Sequence, residues 1–133
     1  MDDEWSQGRD GFLNVDLEVI SPVAPDALVR ALNLGALLLA RHEVPEGWFV
    51  SFEVDEAGEE DRAQVNTAAF CDLLEPLDAE AREVWARSRS RVFDYGFRAG
   101  GGGLLKVRIE PETLRRVVAL GATVAWSVYP EWR

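Results

Sequence analysis

Residues 25–36 read PDALVRALNLGA, and residues 111–122 read PETLRRVVALGA. The two stretches align without a gap and share Pro, Leu, Arg, Leu, Gly and Ala at matched positions. Each follows a short stretch in which polar and apolar residues alternate, at 17–20 for the first copy and 105–109 for the second. Such alternation is typical of a strand, while proline before and glycine after an apolar stripe are typical of a helix. The sequence therefore predicts a strand–helix–strand unit that occurs twice.

The remaining sequence extends this unit into one α+β domain. Strands that alternate polar and apolar residues are not covered on both faces. We therefore expect two layers: a mixed β-sheet with helices on one face, the other face being open. The first six elements also match the ferredoxin-like order. The expected order is β-α-β-β-α-β-β-α-β, with strands at 12–20, 36–44, 48–55, 90–99, 104–109 and 122–129.

Helical periodicity predicts which side chains lie in the core, because residues three and four apart share one face of a helix. Pro76 is expected to end or kink the middle helix, and Asp78 to cap a second helical stretch up to about Arg87. In the closing strand side chains alternate with a period of two, which predicts that Val124, Trp126 and Val128 are buried. The expected buried helix residues are Leu28, Ala31, Leu32, Val65, Ala69, Phe70, Leu73, Leu74, Leu77, Ala81, Trp85, Leu114, Val117 and Val118.

Length and composition indicate a single cytoplasmic domain. A chain of 133 residues with 47% hydrophobic residues is the size of one domain. We expect residues 1–10 to be a loose, acidic N-terminus and residues 11–133 to fold together. No apolar run reaches the roughly 18 residues of a membrane span, and the acidic start does not resemble a signal peptide. The single cysteine, Cys71, excludes an internal disulfide and fits a reducing compartment.

The net charge of −10 is unevenly distributed along the chain. Residues 1–61 hold 15 acidic and 3 basic side chains, whereas residues 62–133 hold 9 and 11. An acidic surface repels the phosphates of nucleic acid and attracts basic proteins. The arginine cluster at 87–91 is close to aromatic residues, but we interpret those aromatics as core. We therefore expect a protein partner with a basic surface, and neither nucleic acid nor membrane.

No motif predicts catalysis or a cofactor. The glycines at 100–103 are followed by Leu104 and a predicted strand, which is not the sequence of a phosphate-binding loop. His42 is the only histidine, and Cys71 lies on the apolar side of a predicted helix, where thiols are usually inert. One cysteine and one histidine do not make a zinc site. We expect no catalytic residue, no metal and no cofactor.

Carboxylates project from the open sheet face. Asp16 and Glu18 point the same way from one strand, and Glu53 and Asp55 from another, so they converge if the strands are neighbours. Lys106 and Arg108 would make the opposite end of this face basic. Oxygen ligands of this kind also suit Mg²⁺ or Ca²⁺, so a metal-dependent hydrolase is an alternative, as is a homodimer in which two open sheets cover each other. The candidate partner-binding residues are Asp16, Glu18, Glu53, Asp55, Glu56, Glu59 and Glu60.

The order of these features resembles a family of small bacterial proteins classed as a domain of unknown function. Gly47 and Trp48 open a strand, an acidic loop and a leucine-rich helix follow, and the segment Ile109–Pro130 closes the chain. The resemblance implies a single α+β domain without assigned enzymatic activity. Some members of this family lie at toxin–immunity loci, which implies an immunity-type inhibitor of a basic bacterial toxin. Our first hypothesis is therefore a non-enzymatic, acidic binding protein.

Overall fold

The computed structural model describes residues 11–54, 61–100 and 104–130. The predicted loose N-terminus at 1–10 and the acidic loop at 55–60 lie outside the described residues. Within the described ranges the chain forms five strands and four helices. In chain order they are β1 (Phe12–Ser21), α1 (Asp26–Leu32), β2 (Leu37–Val44), β3 (Gly47–Glu53), α2 (Arg62–Leu74), α3 (Ala79–Arg87), β4 (Ser90–Arg98), α4 (Pro111–Ala119) and β5 (Thr123–Tyr129).

All five strands belong to one mixed sheet in the order β2-β3-β1-β4-β5. Strand β1 is antiparallel to β3 and β4, and β2 is antiparallel to β3. Strands β1 and β2 are therefore parallel, with β3 between them, which is the split βαβ arrangement of ferredoxin-like units. Strand β5 lies beside β4 and is parallel to it. The prediction of a mixed sheet in an α+β domain is confirmed.

The predicted duplication is not confirmed, because one of its strands is absent. Residues 104–110 have no regular secondary structure, so the second copy begins directly with α4. Strand β4 already pairs with β1 on one side and β5 on the other, which leaves this segment no edge of β4 to join. Its apolar residues instead pack by their side chains: Val107 and Ile109 lie against the core, and Leu105 covers Gly11.

Local signals place the ends of the helices. The chain leaves α2 before Pro76, and the Asp78 carboxylate then accepts a hydrogen bond of 2.9 Å from the Ala81 amide, so Asp78 caps α3 as predicted. Helix α4 begins at Pro111, and the turn after it reaches Gly121 with φ of 73°. That left-handed backbone favours glycine, and the Arg91 side chain also lies close to the position that a Cβ would take.

The buried face of α2 matches the predicted stripe at Phe70 and Leu74 but differs near the start of the helix. Val65 is 38% exposed, whereas the polar residues Asn66 and Thr67 are buried. The Thr67 hydroxyl lies 2.7 Å from the Tyr95 hydroxyl and donates to the Ala63 carbonyl, so its polar group is satisfied inside the core. Apolar periodicity fails only at this end of the helix, because it treats every polar residue as exposed. The stripe predicted for α1 is confirmed by the full burial of Leu28 and Leu32.

The prediction that the closing segment buries its apolar residues is also largely wrong. Trp126 is 65% exposed and Val128 is 64% exposed on β5. On α4 only Val117 is buried as expected, while Val118 is 73% exposed and Leu114 is exposed as well. Strand β5 is at the edge of the sheet, where the helix layer does not cover it fully. Alternation predicts which side of a strand a residue occupies but not whether another element covers that side.

The core lies between the helices and one face of the sheet. Val15, Leu17 and Val19 of β1 point to this side and are fully buried. Side chains from all four helices join them in a single cluster: Leu28, Phe70, Trp85 and Val117. The opposite sheet face is therefore not covered by any helix within the described residues. None of these helices is long and apolar enough to cross a membrane.

Candidate functional site

Three carboxylates form a row across the centre of the uncovered sheet face. Asp16 of β1 is directly opposite Glu53 of β3 and, on its other side, directly opposite Asp94 of β4. Directly opposite residues have Cβ atoms about 4.5–5.5 Å apart, so Asp16 is the nearest cross-strand neighbour of both Glu53 and Asp94. Glu18 lies two residues along β1 and therefore on the same face. We call Asp16, Glu18, Glu53 and Asp94 the acidic sheet face.

This arrangement perturbs the titration of its central residue. Burial, and then the charges of Glu53, Glu18 and Asp94, raise the pKa of the Asp16 carboxyl from 3.8 to about 6. Burial also raises the pKa of Glu18, with a further contribution from Asp94. In both cases the ionised form is disfavoured because the carboxylate loses water and faces like charges. The free protein therefore holds this charge at an energetic cost.

The row of three carboxylates accepts hydrogen bonds from one neighbouring hydroxyl and has an apolar residue at each of its two ends. The Ser127 hydroxyl on β5 donates to Asp94, at 2.8 Å from Oδ1 and 3.0 Å from Oδ2. Leu37, on β2, is the strand partner of Glu53, and Ala125, on β5, is the partner of Asp94. A charged centre is thus bordered by apolar residues at the row's ends.

Beyond the acidic row, the same face ends in a shallow pocket. A methyl group at Gly96 would lie 3.6 Å from the Tyr129 ring and 4.0 Å from the Leu13 Cβ, so these side chains flank the glycine. Together with Arg98 and Pro130 they line a cavity of about 540 Å³. Arg98 brings a cationic side chain to the face that carries the acidic row, since it alternates in phase with Asp94 on β4.

The structure brings together three of the predicted partner-binding residues. Asp16, Glu18 and Glu53 lie on the neighbouring strands β1 and β3 of the uncovered face. The other predicted members, Asp55, Glu56, Glu59 and Glu60, lie outside the described residues.

Two features of the face differ from the sequence analysis. The prediction that Lys106 and Arg108 form its basic end is wrong, because residues 104–110 are not a strand of the sheet. Asp94 is absent from the candidate residues, although alternation with Phe93 and Tyr95 indicates that it points away from the core. The missing information is the strand order, since only pairing of β4 with β1 brings Asp94 beside Asp16.

Three findings within the described residues bear on catalysis and metal binding. In the part of the chain that is described, no three His, Cys, Asp or Glu side chains form a group that could hold a metal ion. The hydrolase alternative needs such a group of oxygen ligands. Cys71 is buried, and burial raises the pKa of its thiol to about 11, so it is not a nucleophile at neutral pH. His42 is exposed on β2, with its ring 5.2 Å from that of Phe49.

Comparisons with known proteins give no match. No family model matches the chain, and neither a curated protein nor a solved structure is similar enough to be counted as a match.

Proposed function

We propose that this protein is a non-enzymatic binding protein whose acidic sheet face docks on a basic surface of a protein partner. One observation carries the proposal: Glu53, Asp16 and Asp94 form a row on the sheet face that no described helix covers. Like charges directly opposite each other on neighbouring strands destabilise a sheet. A row of three is therefore unfavourable in the free protein, and a function that uses the charges accounts for their presence.

A cationic partner would relieve this repulsion. Since the pKa of Asp16 is raised to about 6, ionised Asp16 is less stable in this environment than a carboxylate in water. An arginine or lysine placed over the row favours the ionised form of Asp16 and offsets the repulsion among the three carboxylates. Charge complementarity of this kind also steers the encounter, so the association rate is expected to fall steeply as salt rises.

The border of the acidic sheet face offers apolar contacts for affinity. Leu37 at the β2 end and Tyr129 beside the pocket are both exposed, and both lie on this side of the sheet. Interfaces gain most of their affinity from a few buried aromatic or apolar anchors, while charges contribute mainly rate and specificity. The proposed interface therefore has charged residues in the middle and candidate anchors at its edges.

The narrower form of the proposal is an immunity-type inhibitor of a basic bacterial toxin. It rests on the family resemblance of the sequence, and the acidic face is compatible with it. Co-expression tests it directly. The toxin encoded beside this gene should be harmless with the wild-type protein and harmful with a variant in which Asp16, Glu53 and Asp94 are replaced by their amides. Toxicity that is unchanged by the wild-type protein would contradict this narrower form without affecting the broader one.

The broader proposal can be tested with a defined basic probe, a peptide of nine arginines. Amide shifts in an NMR titration should concentrate on β1, β3 and β4 around the acidic sheet face. The triple variant Asp16→Asn, Glu53→Gln, Asp94→Asn should weaken binding by about tenfold or more, taking roughly 0.5 kcal/mol or more per charge.

A second triple variant controls for net charge. Glu43→Gln, Glu46→Gln and Glu83→Gln remove the same number of charges from exposed positions outside the acidic sheet face. The proposal expects this variant to bind the peptide nearly as well as the wild type. Equal loss of binding in both triple variants, or shifts spread evenly over all surface carboxylates, would mean that the acidic sheet face is not a binding site.

A further inference from the structure

We propose that two copies of this chain pair edge to edge through β5, antiparallel and centred on Trp126, to form one continuous sheet. This inference is independent of the proposed function, because it concerns the edge of the sheet and not its acidic face.

Of the two edge strands of the sheet, β2 carries features that discourage pairing with another chain and β5 does not. Strand β2 carries Arg41, His42 and Glu43 and has a register irregularity between Leu38 and Ala40. Charges and bulges are the devices by which edge strands avoid pairing with other chains. Strand β5, with the sequence TVAWSVY, has no charged residue, no proline and an unbroken register with β4. Within the described ranges, nothing pairs with its outer edge.

The backbone of β5 presents a regular set of polar groups to that edge. The Tyr129 carbonyl accepts a hydrogen bond of 2.9 Å from the Ala99 amide, so Tyr129 turns its polar groups toward the β4 side. Polar backbone groups alternate along a strand. Those of Val124, Trp126 and Val128 therefore turn outward, and the side chains of the same residues lie on the helix side of the sheet.

These outward residues are self-complementary. Trp126 is the central residue of β5, and Val124 and Val128 are placed symmetrically around it. A two-fold axis at Trp126 places it opposite its own copy and each valine opposite the other valine. About six backbone hydrogen bonds then form between the copies, two for each facing pair. Self-complementarity around one residue is what a two-fold interface requires, which is why we assign a second copy as the occupant.

The exposed side chains of β5 fit an interface core. Trp126 and Val128 are more than half exposed, and the Trp126 ring is already held against Tyr95, at 6.0 Å between ring centroids. A pre-positioned tryptophan loses little freedom on binding and is the residue type most often found at the energetic centre of an interface. In the paired sheet, the exposed apolar side chains of β5 from the two copies lie on the same face and cover each other.

The charge of the chain permits this interface. The acidic rows reach only as far as Asp94 on β4, and three strand spacings separate β4 from its copy, about 14 Å. The screening length is about 8 Å at physiological salt, so repulsion between the rows is largely screened. Because the net charge of each chain is −10, dimerisation is expected to strengthen as salt rises, opposite to binding of a basic partner.

Sedimentation equilibrium of the full chain, at 50 and 500 mM NaCl, tests the proposal. We expect a dimer with a lower dissociation constant at high salt. Trp126→Lys should raise the dissociation constant of the dimer more than about 30-fold. The substitution removes a central anchor and places two like charges opposite each other at the two-fold axis. Val118→Lys, at an exposed valine of α4, is the matched control and should leave the constant unchanged.

A mixing experiment separates loss of the interface from loss of folding. Trp126→Lys and Trp126→Glu are each expected to be monomeric, and their mixture should form heterodimers because opposite charges meet at the two-fold axis. A wild-type chain that stays monomeric at both salt concentrations overturns the proposal. So does a dimer that Trp126→Lys leaves intact, or a mixture of the two variants that remains monomeric. None of these results bears on the acidic sheet face.

Discussion

Replacing Asp16 by asparagine should make the protein more stable at neutral pH. The central carboxylate of the acidic sheet face is half-buried and faces Glu53 and Asp94, and its pKa is raised from 3.8 to about 6. Each factor of ten in proton affinity corresponds to about 1.36 kcal/mol, so the whole rise in pKa would correspond to about 3 kcal/mol. Because the side chain is partly exposed, screening by solvent reduces this to about 1.5 kcal/mol.

The sign of the effect follows from proton linkage. Between pH 3.8 and about 6 the folded protein binds more protons at Asp16 than the unfolded chain does. Stability of the wild-type protein from this group is therefore fully present below pH 3.8 and is lost as pH rises through 6. Asparagine is neutral at every pH and avoids the loss. The advantage of Asp16→Asn should be complete at pH 7.5, clearly smaller at pH 5, and absent below the unfolded pKa.

Urea unfolding followed by tryptophan fluorescence measures this difference. At pH 7.5 the free energy of unfolding of Asp16→Asn should be about 1.5 kcal/mol higher than that of the wild type, which corresponds to a melting temperature about 5 °C higher. Glu43→Gln, an exposed carboxylate on the other side of the same sheet, removes the same charge and should give no comparable gain. Our reasoning is refuted if Asp16→Asn gains nothing, gains as much at pH 5 as at pH 7.5, or is matched by Glu43→Gln.

Three further predictions concern the interior and the helix ends. Thr67→Val leaves the buried Tyr95 hydroxyl without its partner at 2.7 Å and should lower the free energy of unfolding by about 1–2 kcal/mol, while adding Tyr95→Phe should recover part of the loss in the same urea titration. Asp78→Ala removes the α3 cap and should lower the melting temperature by a few degrees, equivalent to about 1 kcal/mol; an unchanged melting temperature would show that the cap is dispensable. Cys71, with its thiol pKa raised to about 11 by burial, should react with a thiol reagent at pH 8 only after denaturation, and rapid labelling of the native protein would contradict its burial.

Elements with strong local signals were predictable from the sequence. The sharp turn of Pro76 and the cap of Asp78 split the helical region into α2 and α3, as the side-chain chemistry of these two residues indicates. Alternation along β1 correctly assigns Val15, Leu17 and Val19 to the core and Asp16 to the opposite face. These features depend on residues that are close in the sequence, so no tertiary information was needed.

Features that depend on which elements are neighbours were not predictable. Residues 104–110 have a strand-like pattern but join no sheet, because both edges of β4 are occupied. Apolar periodicity in α2 predicts Val65 as a core residue, yet Thr67 takes the buried side because Tyr95 supplies a hydrogen-bonding partner. Trp126 is exposed because β5 is at the edge of the sheet, a position that no local pattern encodes.

The candidate site shows the same division. The sequence by itself determined that this is an acidic α+β protein and that Asp16, Glu18 and Glu53 point away from the core, because strand alternation is a property of the backbone. Only the tertiary structure decided that β1 lies between β3 and β4, which brings Glu53 and Asp94 to opposite sides of Asp16. The pKa of a carboxylate depends on burial and on charges a few ångströms away, and such distances are set by the pairing of strands far apart in the chain.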